Sequence, residues 1–540
     1  MKMAVLLYAG IAAGCLLAGR ILIHYFQLVS YQFPGYFRTL RRNLLKALLP
    51  GILMTILFTV SFGLLSVFTT EFRWFHYLIL AAVMTGGGFM TGKTCSEKKA
   101  KKALVFTPRI KRLYAVALIV FILLLILLGS AAQNPADRLG MRGRAASVLI
   151  LLFPLFLPLW IAMAGLLAWP VEKMISEMYF RDAQRILKER KDLIRIGITG
   201  SWGKTSVKFI LGTLLEEKYH TLVTPASFNT PMGVTKVIRS RLEPGHRVFV
   251  AEMGARHVGD IKEMCRLVHP QIGILTSVGP QHLDTFKTVE RVAKTKYELI
   301  DALPEDGTAV FADDRDIVRS LYEKTVKEKL ISGLDPQNCD VWAENISISG
   351  EGSSFDLCTT DVRIPCRTEL LGELNIRNIL VCACLCLRLG LSAEQIARGI
   401  KKIHPVEHRL QLIPNPGGMT VIDDAFNSNI RGAEQAFKVL KEMSGNRILV
   451  TPGMVELGDM EAEMNRNLGR AAAGCCDTAI LVGKKRSEAI ASGLLENGFR
   501  KENIIVANSL EEAAELLKAR VKPGDTVLFE NDLPDNYTEG

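Results

Sequence analysis

The chain has 540 residues, of which 49% are hydrophobic, and a mean hydropathy of +0.21. That is long enough for several full-sized cores and too apolar for a disordered chain or an ordinary soluble enzyme. Much of the +11 formal charge lies in short loops between hydrophobic runs, with no interleaved aromatic and basic stripe, which points to a membrane surface and away from nucleic acid.

The apolar excess sits in the first 170 residues. Five segments there reach the roughly 20 apolar residues that a bilayer crossing requires: 3–23, 47–68, 76–92, 113–132 and 147–170. The third is short, and "TGGGFMTG" (85–92) is expected to break its end. The first lacks a clear small-residue cleavage site and is followed by further spans, so it is not read as a signal peptide. Loop charge sets the expected orientation. Arg38, Arg41, Arg42 and Lys46 follow the first span; Lys93, Lys98, Lys99, Lys101, Lys102, Arg109, Lys111 and Arg112 follow the third. Only Arg73 follows the second, while Arg138, Arg142 and Arg144 after the fourth run mildly against the pattern. Positive loops face the cytoplasm, so everything after Pro170 is expected there, in a multi-pass protein of the cell membrane. The Gly92-Lys93-Thr94 triplet has no preceding strand and reads as part of a basic loop beside the membrane. Residues 171–192 read as an amphipathic linker helix lying along the membrane surface.

The next stretch changes character. "LIRIGITG" reads as a short buried strand and "SVKFILGTLLEE" as a helix, with Gly200-Ser-Trp-Gly203-Lys204-Thr205-Ser206 between them. Glycines let backbone N–H groups turn toward a phosphate, and the helix N-terminus adds partial positive charge. Lys204 can reach terminal phosphates, and the Thr205 hydroxyl can ligate Mg²⁺. The upstream glycine, Gly197, stands one residue earlier than in the commonest phosphate loop. "VFVAEMG" is a second buried strand ending in Glu252, where a P-loop enzyme holds its metal. "IGILTSVGPQHLDTF" is a third strand, followed by His282 in a loop, and a helix carrying Lys294 and Lys296 comes next. The eleven cysteines form no CxxC pair and no Cys/His zinc spacing; Cys382, Cys384 and Cys386 alternate in an apolar run, and Cys475 and Cys476 are adjacent. They read as reduced, buried, small apolar residues.

Eight motifs occur in one order over about 260 residues: "ITGSWGKTSVK", "VAEMGARHVGDI", "SVGPQHLDTF", "VAKTKYELI", "LGELNIRNIL", "EHRLQ", "DDAFNSN" and "GMVELG". Together they resemble the ATP-dependent Mur ligases, most closely the MurF type, which joins D-alanyl-D-alanine to UDP-N-acetylmuramoyl-tripeptide. The resemblance implies an ADP-forming amide ligase of cell-wall precursor synthesis that works through an acyl phosphate. It assigns ATP contacts to Gly200, Gly203, Lys204, Thr205 and Ser206. Thr205 and Glu252 would hold a first Mg²⁺, and His282 would be a further metal ligand. Lys296, chosen over Lys294 for its spacing to Leu299 and Ile300, matches the lysine that family members carbamylate. Asn378 matches an adenine contact, Arg409 and Asp424 match ATP contacts from the following domain, and Asn229 matches an asparagine near the acceptor carboxylate. Without the resemblance, Asn378 reads as the cap of the following helix, Arg409 as an interface salt bridge and Asp424 as a strand end.

The resulting fold class is an α-helical membrane domain (1–170) and linker (171–192), then an α/β P-loop central domain (193–408) and a smaller α/β C-terminal domain (409–540). A β-rich insertion is expected near 340–372, and the catalytic cleft between the last two domains. Two departures from the family stand out. Spans occupy the place of its UDP-sugar-binding domain, and the last strand, "DTVLF", runs into the acidic "ENDLPDNYTEG" instead of a basic, serine-containing loop. The expected partners are a cell-wall precursor, an amino acid or dipeptide, and the membrane. The alternatives are the same chemistry on a lipid-linked or polymeric acceptor, as in poly-γ-glutamate synthesis, and an ATP-driven transporter or switch.

Overall fold

The computed structural model describes the chain outside residues 1, 68–72, 97–102, 133–140, 227, 350–351, 414–416, 426–429, 456 and 533–540. Lys98, Lys99, Lys101, Lys102 and Arg138 lie outside the described residues, as do most of the acidic tail, Glu456 of "GMVELG" and the "FNSN" of "DDAFNSN". Two compact units result, Met1–Glu177 and Met178–Gly540.

The first unit is helical. In order come α1 (Lys2–Ala18), α2 (Arg20–Leu28), α3 (Phe33–Arg42), α4 (Leu44–Val67), α5 (Arg73–Cys95), α6 (Pro108–Ala132), α7 (Met141–Leu152) and the start of α8 (Leu157–Glu189). Four helical stretches are long and apolar enough to cross a membrane, and α1 with α2, bent by 49°, makes a fifth. The expected first span is thus broken at Gly19. The expected break at 85–92 is absent: "TGGGFMTG" is helical and α5 runs to Cys95, so Gly92-Lys93-Thr94 is its last turn and not a loop. The reason is packing. A Cβ on Gly88 would strike the Gly14 carbonyl, one on Gly14 the Met84 carbonyl, and one on Gly92 the Leu17 carbonyl. Small residues let the α1 and α5 backbones touch, and that contact outweighs the intrinsic helix penalty of glycine. Arg112 closes a two-bond pair on Glu172, Nε–Oε1 2.6 Å and Nη2–Oε2 2.8 Å, tying α6 to α8.

The second unit is α/β. Its first part runs β1 (Ile194–Thr199), α9 (Lys204–Leu215), β2 (Thr221–Val223), α10 (Pro231–Arg241), β3 (Val248–Glu252), α11 (Asp260–Val268), β4 (Ile272–Leu275), α12 (Leu283–Phe286), α13 (Val289–Asp301), β5 (Thr308–Ala312), α14 (Ile317–Lys324) and β6 (Glu328–Gly333). Then come β7 (Val341–Ser349), β8 (Gly352–Cys358), β9 (Arg363–Thr368), α15 (Glu373–Arg388) and α16 (Ala393–Lys401). These strands make one sheet in the order β2-β3-β1-β4-β5-β6-β7-β8-β9. It is parallel from β2 through β7, and the expected insertion is its antiparallel end, β7 to β9. One face packs on α9 and α15, where Cys382, Cys384 and Cys386 are all buried, and the other on α11 and α13.

The last part holds β10 (Gln411–Ile413), β11 (Thr420–Asp424), α17 (Ile430–Lys441), β12 (Arg447–Thr451), α18 (Glu461–Ala472), β13 (Thr478–Val482), α19 (Lys484–Glu496), β14 (Ile504–Ala507), α20 (Leu510–Lys518) and β15 (Thr526–Glu530). Its sheet order is β10-β11-β15-β12-β13-β14, parallel except for the β10–β11 pair.

Residues 171–192 do not form a free-standing surface spacer. They belong largely to α8, and Phe180, Ala183 and Leu187 enter the core beside Val234, Phe249 and Ile261. Gln184 Nε2 adds a 2.6 Å bond to the Arg266 carbonyl, and the Arg239 guanidinium caps the Tyr179 ring at 4.3 Å. The apolar face that reads as membrane-seeking is spent on the sheet's helical layer. A fragment 178–540 is therefore expected to fold as a soluble monomer. One beginning at residue 193 loses that buried side-chain trio and should melt lower by at least several degrees, given about 1.5–3 kcal/mol per buried Phe or Leu. Circular dichroism melts of the two fragments check this.

Candidate active site

Three strand ends converge at the carboxyl edge of the parallel sheet: Thr199 of β1, Glu252 of β3 and Leu275 of β4, with β1 central and Ile198 opposite Glu252. Ligands of open α/β sheets bind at this edge. The loop after β1 is braced from β4. Ser201 N donates to the Ser277 carbonyl at 2.9 Å, Trp202 N to Ser277 Oγ at 2.8 Å, and Thr276 Oγ1 to the Trp202 carbonyl at 2.6 Å. Gly203 caps α9 in the left-handed region, φ 81°, and a Cβ there would lie 2.9 Å from Asn378 Oδ1. Gly200 leaves no room for a Cβ against Thr276 Oγ1. The loop is shaped by backbone and tolerates no side chain at either glycine.

Lys204 opens α9, and its Nζ folds back onto the Gly200 carbonyl at 2.6 Å and the Ser201 carbonyl at 3.1 Å. Burial, with the Arg409 charge nearby and against the pull of Glu252, pushes this amine down to about 8. Thr205, one residue on, donates to Glu252, 3.1 Å from either carboxylate oxygen. Ser206 lies part-buried in the same first turn. Asn229 Nδ2 reaches Glu252 Oε1 at 3.1 Å. Burial works to raise Glu252, but Lys208 and Lys204 outweigh it, with Asn229 assisting, and the carboxyl stays below the usual range.

Lys208 is the residue that sequence reasoning missed. It is fully buried, 0% exposed in its side chain, with Nζ 3.0 Å from Glu252 Oε2 and donating also to the Ala226 carbonyl. The available signal was a lone lysine inside the otherwise apolar helical run "SVKFILGTLL".

Lys296 is 1% exposed on α13, while Lys294 on the same helix is exposed. Burial, and then the nearby Lys204 charge, hold the Lys296 amine well below the ordinary lysine range. His282 takes a left-handed conformation, φ 50°, at the start of α12, its carbonyl accepting from the Thr285 and Phe286 amides at 3.0 Å. Among the described residues no three His, Cys, Asp or Glu side chains gather as a metal cluster, so His282 and Glu252 do not form one with a further acid. Asn378 lies in the interior of α15 and is not its cap, which is Gly372. Arg409 and Asp424 come from the last part of the unit. Their charges act on each other and, for Arg409, on Lys204 and Glu252, so they reach the same edge. Burial pushes Asp424 up to about 6 against the Arg409 charge, and its Oδ1 accepts from the Leu410 amide at 3.1 Å. At the far end of β15, Thr451 Oγ1 lies 3.4 Å from buried Glu530 and Asn531 Nδ2 donates to the Gly453 carbonyl at 2.6 Å, which seats "GMVELG" beside that strand end.

A divalent ion fits the Thr205–Glu252 pair by its chemistry. One hydroxyl and one carboxylate face each other within hydrogen-bond distance, beside a loop built for phosphate. Mg²⁺ asks little more of a protein, because phosphate oxygens and water complete its octahedron.

Comparison with known proteins agrees with this layout. The Mur ligase middle domain profile matches residues 198–386, and the profile described as Mur ligase, glutamate ligase domain matches residues 408–530. The UDP-N-acetylmuramoyl-tripeptide–D-alanyl-D-alanine ligase of Escherichia coli is 31% identical over 355 residues, covering 63% of this chain and 78% of that enzyme. The enzyme of the same name from Mycobacterium tuberculosis is 32% identical over 356 residues, covering 62% and 69%. Among solved structures, MurF ligase from Thermotoga maritima in complex with ADP superposes with a TM-score of 0.60 at 26% identity, covering 66% of this chain and 80% of that one. MurF from Acinetobacter baumannii gives 0.61 at 24%, covering 67% and 78%. With both ligase-domain profiles matched and a relative 31% identical over 78% of its own length, the chain belongs to the Mur ligase family of ATP-dependent, amide-forming ligases.

Proposed function

We propose that this chain is a MurF-type ligase held at the cytoplasmic face of a membrane, adding a D-alanyl-D-alanine-like dipeptide to the free carboxylate of a muramoyl-peptide precursor. The observation that carries the reading is the grouping of Lys204, Thr205, Glu252 and Asn229 at one sheet edge, with Arg409 and Asp424 reaching it from the next domain.

In this reading a carboxylate oxygen of the acceptor attacks the γ-phosphorus of ATP, ADP leaves, and an acyl phosphate forms. The dipeptide amine then attacks the acyl carbon, loses a proton, and phosphate departs. Lys204 offsets charge on the transferred phosphoryl group, and Gly200, Gly203 and Ser206 cradle the phosphates through backbone and hydroxyl groups. Thr205 and Glu252 would hold Mg²⁺, which would supply electrostatic stabilisation of the phosphates. Asn378 meets the adenine, Arg409 and Asp424 close over the nucleotide, and Asn229 orients the acceptor carboxylate. The buried amine of Lys296, held neutral by its surroundings, would add CO₂ with loss of a proton to give a carbamate anion, which with His282 would hold a second metal ion.

The helical unit supports a second reading of the acceptor. The family profiles match only from residue 198, and apolar helices stand where the family keeps its UDP-sugar domain. A lipid-linked or polymeric acceptor, delivered in the membrane plane, fits that replacement. An ATP-driven transporter fits less well, because charged residues are nearly absent from the middle of these helices.

Detergent-solubilised enzyme is expected to release phosphate from ATP only when Mg²⁺, UDP-muramoyl-tripeptide and D-alanyl-D-alanine are all present. Release with a lipid-linked muramoyl peptide, and none with the UDP form, would select the second acceptor. Lys204→Ala should lower turnover by about 10²–10³-fold or more, the scale of losing a charge-stabilising group; product formed at the wild-type rate would end the ligase reading. Lys296→Ala should cost about 10–100-fold, as for groups that orient a metal site. A short carboxylic acid added to the buffer should restore part of it, and an unchanged rate would remove the carbamate.

A further inference from the structure

Lys208 has no part in the scheme above, yet it sits in the centre of the site. It lies one turn along α9 from Lys204 and three residues from Thr205, so its side chain faces the same carboxylate. Its ammonium touches two things: Glu252 Oε2 at 3.0 Å and the Ala226 carbonyl. Ala226 stands in the left-handed region, φ 42°, which a non-glycine residue rarely adopts and which the lysine over-determines. Three residues on, Asn229 returns a 3.1 Å hydrogen bond to the other oxygen, Oε1. The Phe209 ring, 4.3 Å from Nζ, shields the cation further.

We propose that Lys208 is a positioning residue that makes Glu252 a one-oxygen ligand, so that the site accepts Mg²⁺ or Mn²⁺ and discriminates against Ca²⁺. The inference rests on the metal position assigned above to Thr205 and Glu252. Ca²⁺ takes six to eight oxygens and readily uses both oxygens of a carboxylate, whereas Mg²⁺ takes carboxylates singly in a strict octahedron. With Oε2 held by a fixed ammonium, bidentate binding is closed; Oε1 carries only hydrogen bonds from neutral groups, the Asn229 amide and the Thr205 hydroxyl that is shared between both oxygens, and a cation can displace these. A merely structural role explains less. Buried ion pairs add little stability over well-packed apolar residues, and Lys208 is flanked along α9 by the core residues Val207, Ile210 and Leu211, where an apolar side chain of its length would pack.

The test is Mn²⁺ binding to the full-length protein in detergent, followed by electron paramagnetic resonance with Mg²⁺ and Ca²⁺ as competitors, with no ATP turnover and no peptide. Failure of the ligase reading therefore leaves it intact. Wild type should let Mg²⁺ compete at least about 30-fold better than Ca²⁺, as a monodentate oxygen site predicts. Lys208→Met removes a cation 3.0 Å from the ligand. It should bind Mn²⁺ about tenfold tighter or more and bring Ca²⁺ to within a few-fold of Mg²⁺. Lys208→Arg should restore part of the discrimination, and Glu252→Gln should remove the signal. Wild-type affinity and an unchanged ion ratio in Lys208→Met overturn the proposal, as does a Mn²⁺ signal that survives Glu252→Gln. If Lys208→Met does not fold, the wild-type competition decides alone: Ca²⁺ displacing Mn²⁺ as well as Mg²⁺ does refutes it.

Discussion

A carboxylate at 1% exposure organises this enzyme. Glu252 is carried to the sheet edge by β3, where water cannot solvate it, and an unpaired buried charge is not sustainable. Everything around it answers that demand: the Lys208 ammonium, the Thr205 hydroxyl, the Asn229 amide, and Thr224 Oγ1 accepting from the Glu252 amide at 3.2 Å. Those partners come from α9 and the loop after β2. The charge on one side chain thereby fixes how the phosphate loop helix and the substrate-side loop sit against the central strand.

The phosphate loop is the other half of that arrangement. Its shape comes from Gly200 and Gly203, and its position from hydrogen bonds to Thr276 and Ser277 just past β4. Two neighbours of β1 thus hold the two sides of the site, one by charge and one by backbone hydrogen bonds. Dipoles and charges fixed in this way stabilise developing charge without reorganising.

The order strand, glycine loop, lysine, helix was legible because phosphate binding is a local chemistry written in consecutive residues. The long apolar helices were legible for a similar reason, since bilayer thickness sets the length that such a segment needs. What misled was local propensity in places where distant packing decides. "TGGGFMTG" reads as a break because glycine disfavours helices, yet Gly14 on α1 meets Gly88 and turns that weakness into a seam. The amphipathic stretch after Pro170 reads as membrane-seeking, but Phe180 and Leu187 find their apolar partners on the α/β unit. Lys208 escaped notice because a helix wheel has no means of showing a carboxylate that arrives 44 residues later in the chain.

The strand order also constrains how the chain can be made. β1 is central, and its two neighbours are β3 and β4, so neither edge is covered by a strand that immediately follows it. Emerging from a ribosome, Ile194–Thr199 must wait until Leu275 has appeared before both edges are paired. That is about 80 further residues, or several seconds of synthesis at roughly 5–20 residues per second. The apolar helices are already out by then, and the strand that carries Ile194, Ile196 and Ile198 stays unpaired on at least one edge for that interval. The pairing order thus leaves the central strand of the sheet incomplete for longer than its place early in the second unit would suggest.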